Sequence, residues 1–400
     1  MTVAGAAWLV LAGAFTLVAY AYVGYPILLL GWGWLRRRTH DTVRSEAAWP
    51  SVSIMLPVYN EEATLARTLE RLLALDYPSD RRQILVISDA STDGTDAIAR
   101  AFADRGVELL RLPQRRGKTA AENAAVTRLR SQIVVNTDAS IRIPPDALKP
   151  LIAAFADATV GVASGRDVSI AQWTESSNRG ESGYVGYEMW VRDLETRAGG
   201  IVGASGCFFA TRAHLRVSPM PEALSWDFAA ALIAREHGYR AVSVNEAVCY
   251  VPRTQSLRRE YRRKVRTMTR GMETLRYKRH LLNPLRFGSF AWKLFSHKLC
   301  RWLVPWGGLA GLVSLGILAA SEPRGRWLGI VVVAAGSCAL LGWTWPERVR
   351  MPRVLAWTAY LLSGNLATLE ASIRALRGEP TPLWEPTRRD AAQSPAPSSG

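Results

Sequence analysis

The sequence predicts an α/β domain flanked by apolar segments long enough to cross a membrane. Three observations carry that expectation. Strand-like runs (Val52–Val58, Ile84–Ser88, Glu108–Leu112, Ile133–Asn136) alternate with helical runs (Glu61–Leu75, Asp93–Asp104, Lys118–Leu129). Such alternation specifies a parallel sheet wrapped by helices. Second, Asp89 and Asp138 close two of the strand-like runs, and Asp227 lies in the polar stretch Ser225-Trp-Asp227. Ligands of open α/β sheets bind beyond the carboxyl ends of the strands. A carboxylate there can hold a nucleotide, a divalent metal or a proton. Third, both ends of the chain carry membrane-grade apolar runs. The combination suggests chemistry on a polar substrate at a membrane face.

The first apolar run covers residues 3–35 without a charge. At about 1.5 Å per residue it exceeds the roughly 30 Å hydrocarbon core. Pro26 and the glycines at 24, 31 and 33 are expected to kink or end its helix. Arg36, Arg37 and Arg38 follow at once, and no small-residue cleavage site stands out, so the run reads as a retained anchor. The excess of Arg after it places the N-terminus outside and the following residues in the cytoplasm. A polar linker, 39–49, leads to the α/β domain, expected over 50–254. Residues 255–301 are basic and then mixed aromatic, the composition of helices lying in the membrane interface. The C-terminal apolar region is expected over 302–375. Its runs 302–320 and 327–345 are long enough to span, whereas 354–373 is interrupted by Asn365 and Glu370. If all three crossed, Arg374, Arg377, Arg388 and Arg389 would lie outside, against the positive-inside rule. The tail, 376–400, is rich in Pro, Ser and Ala and is expected to be partly disordered.

The formal net charge is +16. A basic balance fits nucleic acid, an anionic membrane surface or a phosphorylated substrate. Much of the Arg flanks apolar segments, which favours membrane lipids and phosphates over nucleic acid. Cys207, Cys249, Cys300 and Cys338 form no C-x-x-C pair, and the five histidines form no H-x-x-x-H, so zinc ribbons and redox motifs are not indicated.

Four stretches carry chemistry. The first strand ends in Pro57-Val-Tyr-Asn-Glu-Glu62, a turn whose backbone N–H groups can bind a ligand, or in which Asn60 simply caps a helix. The second ends in Ser88-Asp89-Ala-Ser-Thr-Asp-Gly-Thr95, with Asp93 and Thr95 suited to cap the next helix. Arg115-Arg-Gly-Lys-Thr-Ala-Ala-Glu-Asn123 contains Gly-Lys-Thr, but Leu112 stands where a Walker loop needs glycine. It is a basic turn at a helix start, equipped to hold a diphosphate by charge and backbone donors. The run Arg259–Arg266 suits phosphate or anionic lipid.

Taken in order, V-Y-N-E-E, S-D-A-S-T-D-G-T, R-G-K-x-x-A-x-N, T-D-A-S, G-A-S-G and W-D resemble the family 2 glycosyltransferases of GT-A fold, over roughly residues 50–270. The flanking spans match membrane-bound members that build polysaccharides. The resemblance implies that Pro57, Tyr59, Asn60, Glu62, Asp89, Lys118, Asn123 and Asp138 bind a nucleotide-sugar donor. Asp138 and Ser140 would occupy the D-x-D metal site for Mg²⁺ or Mn²⁺, with Ser140 in place of the usual second Asp. Gly203, Ser205 and Gly206 would line the acceptor. Asp227 would be the general base of an inverting transfer, with Trp226 where a further acidic residue is usual. Arg262, Arg263 and Arg266 would contact the diphosphate, in a segment that lacks the full Q-x-x-R-W. The implied activity is transfer from a UDP-sugar to a glycan or lipid-linked acceptor at the cytoplasmic face of the inner (plasma) membrane, in cell-envelope polysaccharide biosynthesis, with polysaccharide-export proteins as partners. Sugar transfer to polyprenyl phosphate and a non-catalytic scaffold of a secretion complex are the alternatives.

Overall fold

The computed structural model describes residues 2–35, 49–170, 179–216, 219–252, 257–346 and 351–379. Arg36–Arg38, the linker and the tail beyond residue 379 lie outside them. The chain divides into two compact units. One gathers residues 41–175 and 203–255; the other gathers 1–40, 176–202 and 256–382. The expected 50–254 stretch therefore loses 176–202 to the second unit.

The first unit is built on a seven-stranded sheet in the order β3-β2-β1-β4-β6-β5-β7. The strands are β1 (Val52–Val58), β2 (Arg82–Ser88), β3 (Val107–Arg111), β4 (Ile133–Thr137), β5 (Val160–Ile170), β6 (Phe208–Arg212) and β7 (Arg240–Pro252). β1 is buried along its whole length. It pairs in parallel with β2 and β4, which explains why its sequence is an unbroken apolar run. The sheet is mixed rather than parallel throughout. β6 runs antiparallel to both β4 and β5, while β5 and β7 are parallel.

The helices of this unit are shorter than expected. α3 spans Leu65–Leu73 rather than 61–75, because residues 60–62 bond to the turn after β2. α4 covers Thr95–Ala101 and α5 Lys118–Ala125, each followed by a single 3₁₀ turn. α6 (Leu148–Ala153) and α8 (Trp226–Glu236) complete the set. Apolar residues of β1, β2, β4, α3 and α6 form one core, which includes Ile54, Leu56, Leu69, Val86, Val135 and Leu151.

The second unit is helical. α1 (Val3–Ala19) continues through a π-helical turn, Tyr20–Gly24, into α2 (Tyr25–Leu35). Proline lacks the N–H that would bond to the carbonyl four residues back. Pro26 thus loosens the helix at Tyr22 and widens it into a π turn without ending it. α7 (Arg179–Arg197) is followed by α9 (Leu257–Tyr277), α10 (Pro284–Phe287) and α11 (Ser289–Leu294). A second π turn, Phe295–Cys300, joins α11 to α12 (Arg301–Ser321), and α13 (Pro323–Trp343) and α14 (Arg353–Arg377) close the chain.

Among the described residues, three segments are long and apolar enough to cross a membrane: Val3–Trp34, Ser289–Ser321 and Pro323–Trp343. Their exposed side chains include Phe15, Leu312, Val313, Trp327 and Val333. The expected interfacial helix around 287–302 is therefore continuous with the first C-terminal span. α14 is not among the candidate spans. Its Glu370 accepts from Tyr261 of α9 at 2.5 Å and pairs with Arg374. The first span packs on the second through Gly307 and Gly311, where an added Cβ would meet Leu17 at 3.1 Å and Ala14 at 3.3 Å. Small residues four apart let apolar helices approach closely without a hydrophobic driving force between them.

Candidate active site

Two turns close the neighbouring strands β1 and β2, and they are tied together rather than left open. The Thr92 N–H donates to Asn60 Oδ1 at 2.8 Å, and the Asn60 N–H donates to Ser91 Oγ at 3.2 Å. Glu62 Oε2 accepts the Gly94 N–H at 3.0 Å. Asp93 accepts from the Thr95 N–H at 3.0 Å ahead of α4, whose N-cap is Gly94. Asn60 is thus a clamp between turns, and Thr64, not Asn60, stands at the N-cap of α3. Asn60 and Ala90 have φ of 52° and 56°. A left-handed backbone is common for Asn but strained for Ala, and such strain gathers where the surrounding structure fixes a turn. The Tyr59 ring carries the Arg115 guanidinium 3.9 Å from its centroid. Pro57 lies within β1, paired with Ile87 of β2.

Asp89 is fully buried. Its Oδ1 accepts the Arg116 N–H at 2.8 Å and its Oδ2 the Gly117 N–H at 2.7 Å. Two charge-assisted bonds to backbone N–H groups fix the basic turn in front of α5. In this structure the carboxylate shapes the phosphate-suited loop. Asn123 is a clamp as well. Its Nδ2 donates to the Met220 carbonyl at 2.6 Å, and its Oδ1 accepts from the Met220 N–H and from Trp226 Nε1. It holds the approach to α8.

Four elements bring the reactive groups together. Lys118, the first residue of α5, donates from Nζ to Asp138 Oδ1 at 2.6 Å, beyond the end of β4. The same Nζ lies 3.4 Å from the Gly206 carbonyl. Burial pulls the Lys118 pKa down, but the charges of Asp138, Glu122 and Asp227 outweigh it and hold the group above its ordinary value. Lys118 is thus a fixed cation. Asp227 sits in the first turn of α8, where the helix end favours negative charge. Its Oδ1 accepts from Ser225 Oγ and from the Phe228 N–H at 2.7 Å. Its Oδ2 lies over Gly206, where an added Cβ would come within 2.7 Å. Only glycine at 206 leaves that oxygen room. Ser205 is buried beneath, its hydroxyl donating to Asp167 at 2.6 Å. Gly203 is buried too.

The residue before Asp227 has a packing reason. Trp226 is buried, with the Arg216 guanidinium 4.4 Å above its ring and its Nε1–H on Asn123. Arg216 is itself buried and donates to Asn136 Oδ1 at 2.6 Å and to Thr211 Oγ1 at 3.0 Å. Burial lowers its pKa to about 10, partly offset by Glu122. A carboxylate at 226 would need solvation that this position lacks; the indole serves as the floor of the site.

Sequence reasoning missed Glu122. It lies one turn after Lys118 on α5, is 2 % exposed, and is within the field of Lys118, Arg216, Asp227 and Asp138. Its place in the helical repeat was the available signal, because i and i+4 share a face. Burial pushes its carboxyl pKa up, against the pull of Lys118 and Arg216. A raised carboxyl pKa stabilises the fold below the unfolded value and loses that stability as pH rises through the folded value. Glu122→Gln should therefore raise Tm at pH 7.5, and the gain should shrink toward pH 4.5; scanning calorimetry across that range measures it.

Ser140 is half-buried, two residues beyond Asp138. No group of three His, Cys, Asp or Glu side chains suited to a metal occurs among the described residues. One carboxylate nevertheless fits Mg²⁺ or Mn²⁺ chemistry, since such ions keep waters and share substrate phosphates. Arg262, Arg263 and Arg266 lie on α9 of the other unit. Arg262 is exposed, and Arg263 is bonded through two nitrogens to Glu260 at 2.8 Å.

Comparison with known proteins agrees with this geometry. Residues 53–215 match the family model described as "Glycosyl transferase family 2". A beta-monoglucosyldiacylglycerol synthase of Synechocystis is 27% identical over 175 residues, 42% of this chain and 36% of that protein. An N-acetylglucosaminyltransferase of Mesorhizobium japonicum is 31% identical over 157 residues, 38% of this chain and 35% of that protein. An undecaprenyl-phosphate 4-deoxy-4-formamido-L-arabinose transferase of Aeromonas hydrophila is 36% identical over 107 residues, 26% of this chain and 33% of that protein. The chain thus spans about a third of the length of these relatives. A mannosyltransferase from Pyrobaculum calidifontis, solved with GDP-Man and Mn²⁺, has the same fold at a TM-score of 0.72 and 22% identity, over 92% of this chain and 99% of that one. Residues 53–215, which carry Asp89, Asp138 and most of the first sheet, match glycosyl transferase family 2, and the sheet domain has a GT-A fold.

Proposed function

We propose that the chain transfers a sugar, with inversion, from a nucleotide-sugar to a hydroxyl of a glycan or lipid-linked acceptor at a membrane face, with a UDP-sugar the first donor to test. The observation that carries the proposal is the half-engaged Asp227. One oxygen is pinned by Ser225 and the Phe228 N–H, and the other faces the space kept by Gly206, beside the Lys118–Asp138 pair. A fixed carboxylate with one oxygen presented is suited to take a proton.

The bond changes follow from that geometry. Asp227 Oδ2 takes the acceptor proton as the hydroxyl oxygen bonds to the anomeric carbon. The bond from that carbon to the diphosphate breaks, and its electron pair leaves with the diphosphate. Lys118 and the turn fixed by Asp89 offset the charge that develops there. A divalent metal would be held by Asp138 and Ser140 with the donor's phosphate oxygens, and supplies further neutralisation of the leaving group. Gly203, Ser205 and Gly206 form the backbone of the acceptor side. Tyr59 under Arg115 offers a flat surface for a base.

Three spans also satisfy the charge rule. With the N-terminus outside, the sheet domain is cytoplasmic, and α12 and α13 form a returning pair. α14 with Arg374 and Arg377 then stays on the cytoplasmic side. The test is release of nucleoside diphosphate by the purified full chain from UDP- and GDP-sugars, with lipid and glycan acceptors, with and without Mn²⁺. Release that depends on acceptor supports the reading, and none with any pair rejects it. A second reading, transfer to polyprenyl phosphate, is favoured by the similarity to the undecaprenyl-phosphate transferase. A phosphate acceptor needs little base assistance, so that reading predicts activity without the Asp227 carboxylate.

A further inference from the structure

The helical unit buries a cluster of charges that the proposed transfer does not use. On α7, Glu188, Arg192 and Glu195 fall at i, i+4 and i+7 and share one face. Facing them is the π turn Phe295–Cys300 and the start of α12. His297 Nε2 lies 3.0 Å from Glu188 and its Nδ1 2.7 Å from Glu195. Arg301 donates to Glu188 at 2.8 Å, and Arg192 approaches the same carboxylate at 3.6 Å. Tyr25 donates to Glu195 at 2.5 Å. Lys298 stands among Glu188, Arg192 and Arg301, and Lys293 donates to the Gly200 carbonyl at 2.5 Å.

Among the described residues, Arg192 and Arg301 both approach the Glu188 carboxylate, and their remaining donors are not all met. Arg192 and Arg301 are each 8 % exposed. Nε and Nη1 of Arg192 and Nε and Nη2 of Arg301 have no hydrogen-bond partner. A buried guanidinium that leaves two N–H groups unmet is costly unless an anion or water meets them. Guanidinium forks match phosphate geometry. The rim formed by Tyr22, Tyr184, Tyr187 and Lys298 is half-buried rather than sealed.

Two further observations bear on the source of the anion. Pro26 explains the first π turn, but Pro305 lies too far along to explain the second; its missing bond would fall at Arg301, beyond Cys300. Single π turns inside α-helices occur frequently at functional sites. Aromatic rings also surround the cluster: Trp32 stacks on Trp292 at 6.0 Å, Tyr187 lies 5.9 Å from Trp190, and Trp190 is exposed. Trp and Tyr collect at the membrane–water boundary, and the cluster sits at the head of the span Ser289–Ser321.

We propose that Arg192 and Arg301 form a binding site for the phosphate head group of a membrane lipid, with Lys298 adding charge and the Tyr22–Tyr187–Trp190 rings flanking the chain that carries it. The site is separate in its residues from Asp227, Asp138 and Lys118, and it stands whether or not the transfer reading does.

The experiment uses the full chain in neutral detergent, without donor, and counts bound lipid by native mass spectrometry. A long-chain polyprenyl phosphate, the polyprenol of the same length and inorganic phosphate are titrated in parallel. The expected result is retention of the polyprenyl phosphate at least tenfold tighter than the alcohol or the free ion. Arg192→Gln should lose about tenfold, and Arg192→Lys should recover part of it. Thermal midpoints of both variants within a few degrees of the parent show that they fold; if Arg192→Gln does not fold, Lys298→Gln takes its place with the same expected loss. Equal binding of alcohol and phosphate lipid, or unchanged binding in the folded Gln variant, overturns the site. Inorganic phosphate binding as tightly as the lipid overturns the assignment to a lipid.

Discussion

Asp227→Asn should reduce transfer to a hydroxyl acceptor by about 10²–10⁴-fold, the usual scale for removing a positioned general base. The amide keeps the shape and can still accept from the Phe228 N–H, so α8 and the Gly206 turn should persist. Donor binding, read by titration of the nucleotide, should stay within about twofold. That combination separates chemistry from binding. A variant that loses nucleotide affinity while keeping turnover would assign Asp227 to the donor instead. A variant that keeps full transfer would favour the phosphate-acceptor reading.

Asp138→Asn should cost roughly 10²–10³-fold, by removing the carboxylate proposed to act on the donor side. It also strips Lys118 of its partner at 2.6 Å. Here nucleotide affinity should fall together with rate, and added Mn²⁺ should restore little. Ser140→Asp should move the metal requirement the other way, because a second carboxylate is the stronger ligand for a hard cation. Half-maximal Mn²⁺ concentrations for the parent and the two variants check both statements. An Asp138→Asn enzyme with unchanged metal response would remove Asp138 from the donor side.

The first half of the sheet was legible because its strands are central. β1, β2 and β4 are buried on both faces, so they read as apolar runs with polar ends. β5, β6 and β7 were not assigned. β5 turns from buried to half-buried after Gly165 at an irregular register with β7, so it shows neither a continuous apolar run nor a strict alternation. α7 resisted for a different reason. Its apolar stripe of Tyr187, Val191 and Leu194 is interleaved with Glu188, Arg192 and Glu195, and the two glutamates meet charges from more than 100 residues away, so the helix reads as polar.

At the site, position was easier to read than role. Asp89 and Asp138 stand at strand ends and Lys118 at a helix start as their sequence suggested, whereas Asp227, expected in a polar stretch, lies in the first turn of α8. Whether a carboxylate is spent on the protein depends on partners far along the chain. Asp89 gives both oxygens to Arg116 and Gly117, and Asn123 is taken by Met220 and Trp226. Trp226 looked like a lost acid; its contact with Arg216 shows a packed floor. Glu122 passed unnoticed because a lone acid on a short helix usually faces water.

The central claim is that Asp227 drives a single displacement at the anomeric carbon. The configuration of the product, read from the one-bond and vicinal couplings of the anomeric proton with the donor selected by the release assay, tests it most directly. The account predicts a product of opposite configuration to the donor from the first turnover, before any mutarotation. A product that keeps the donor's configuration would contradict it.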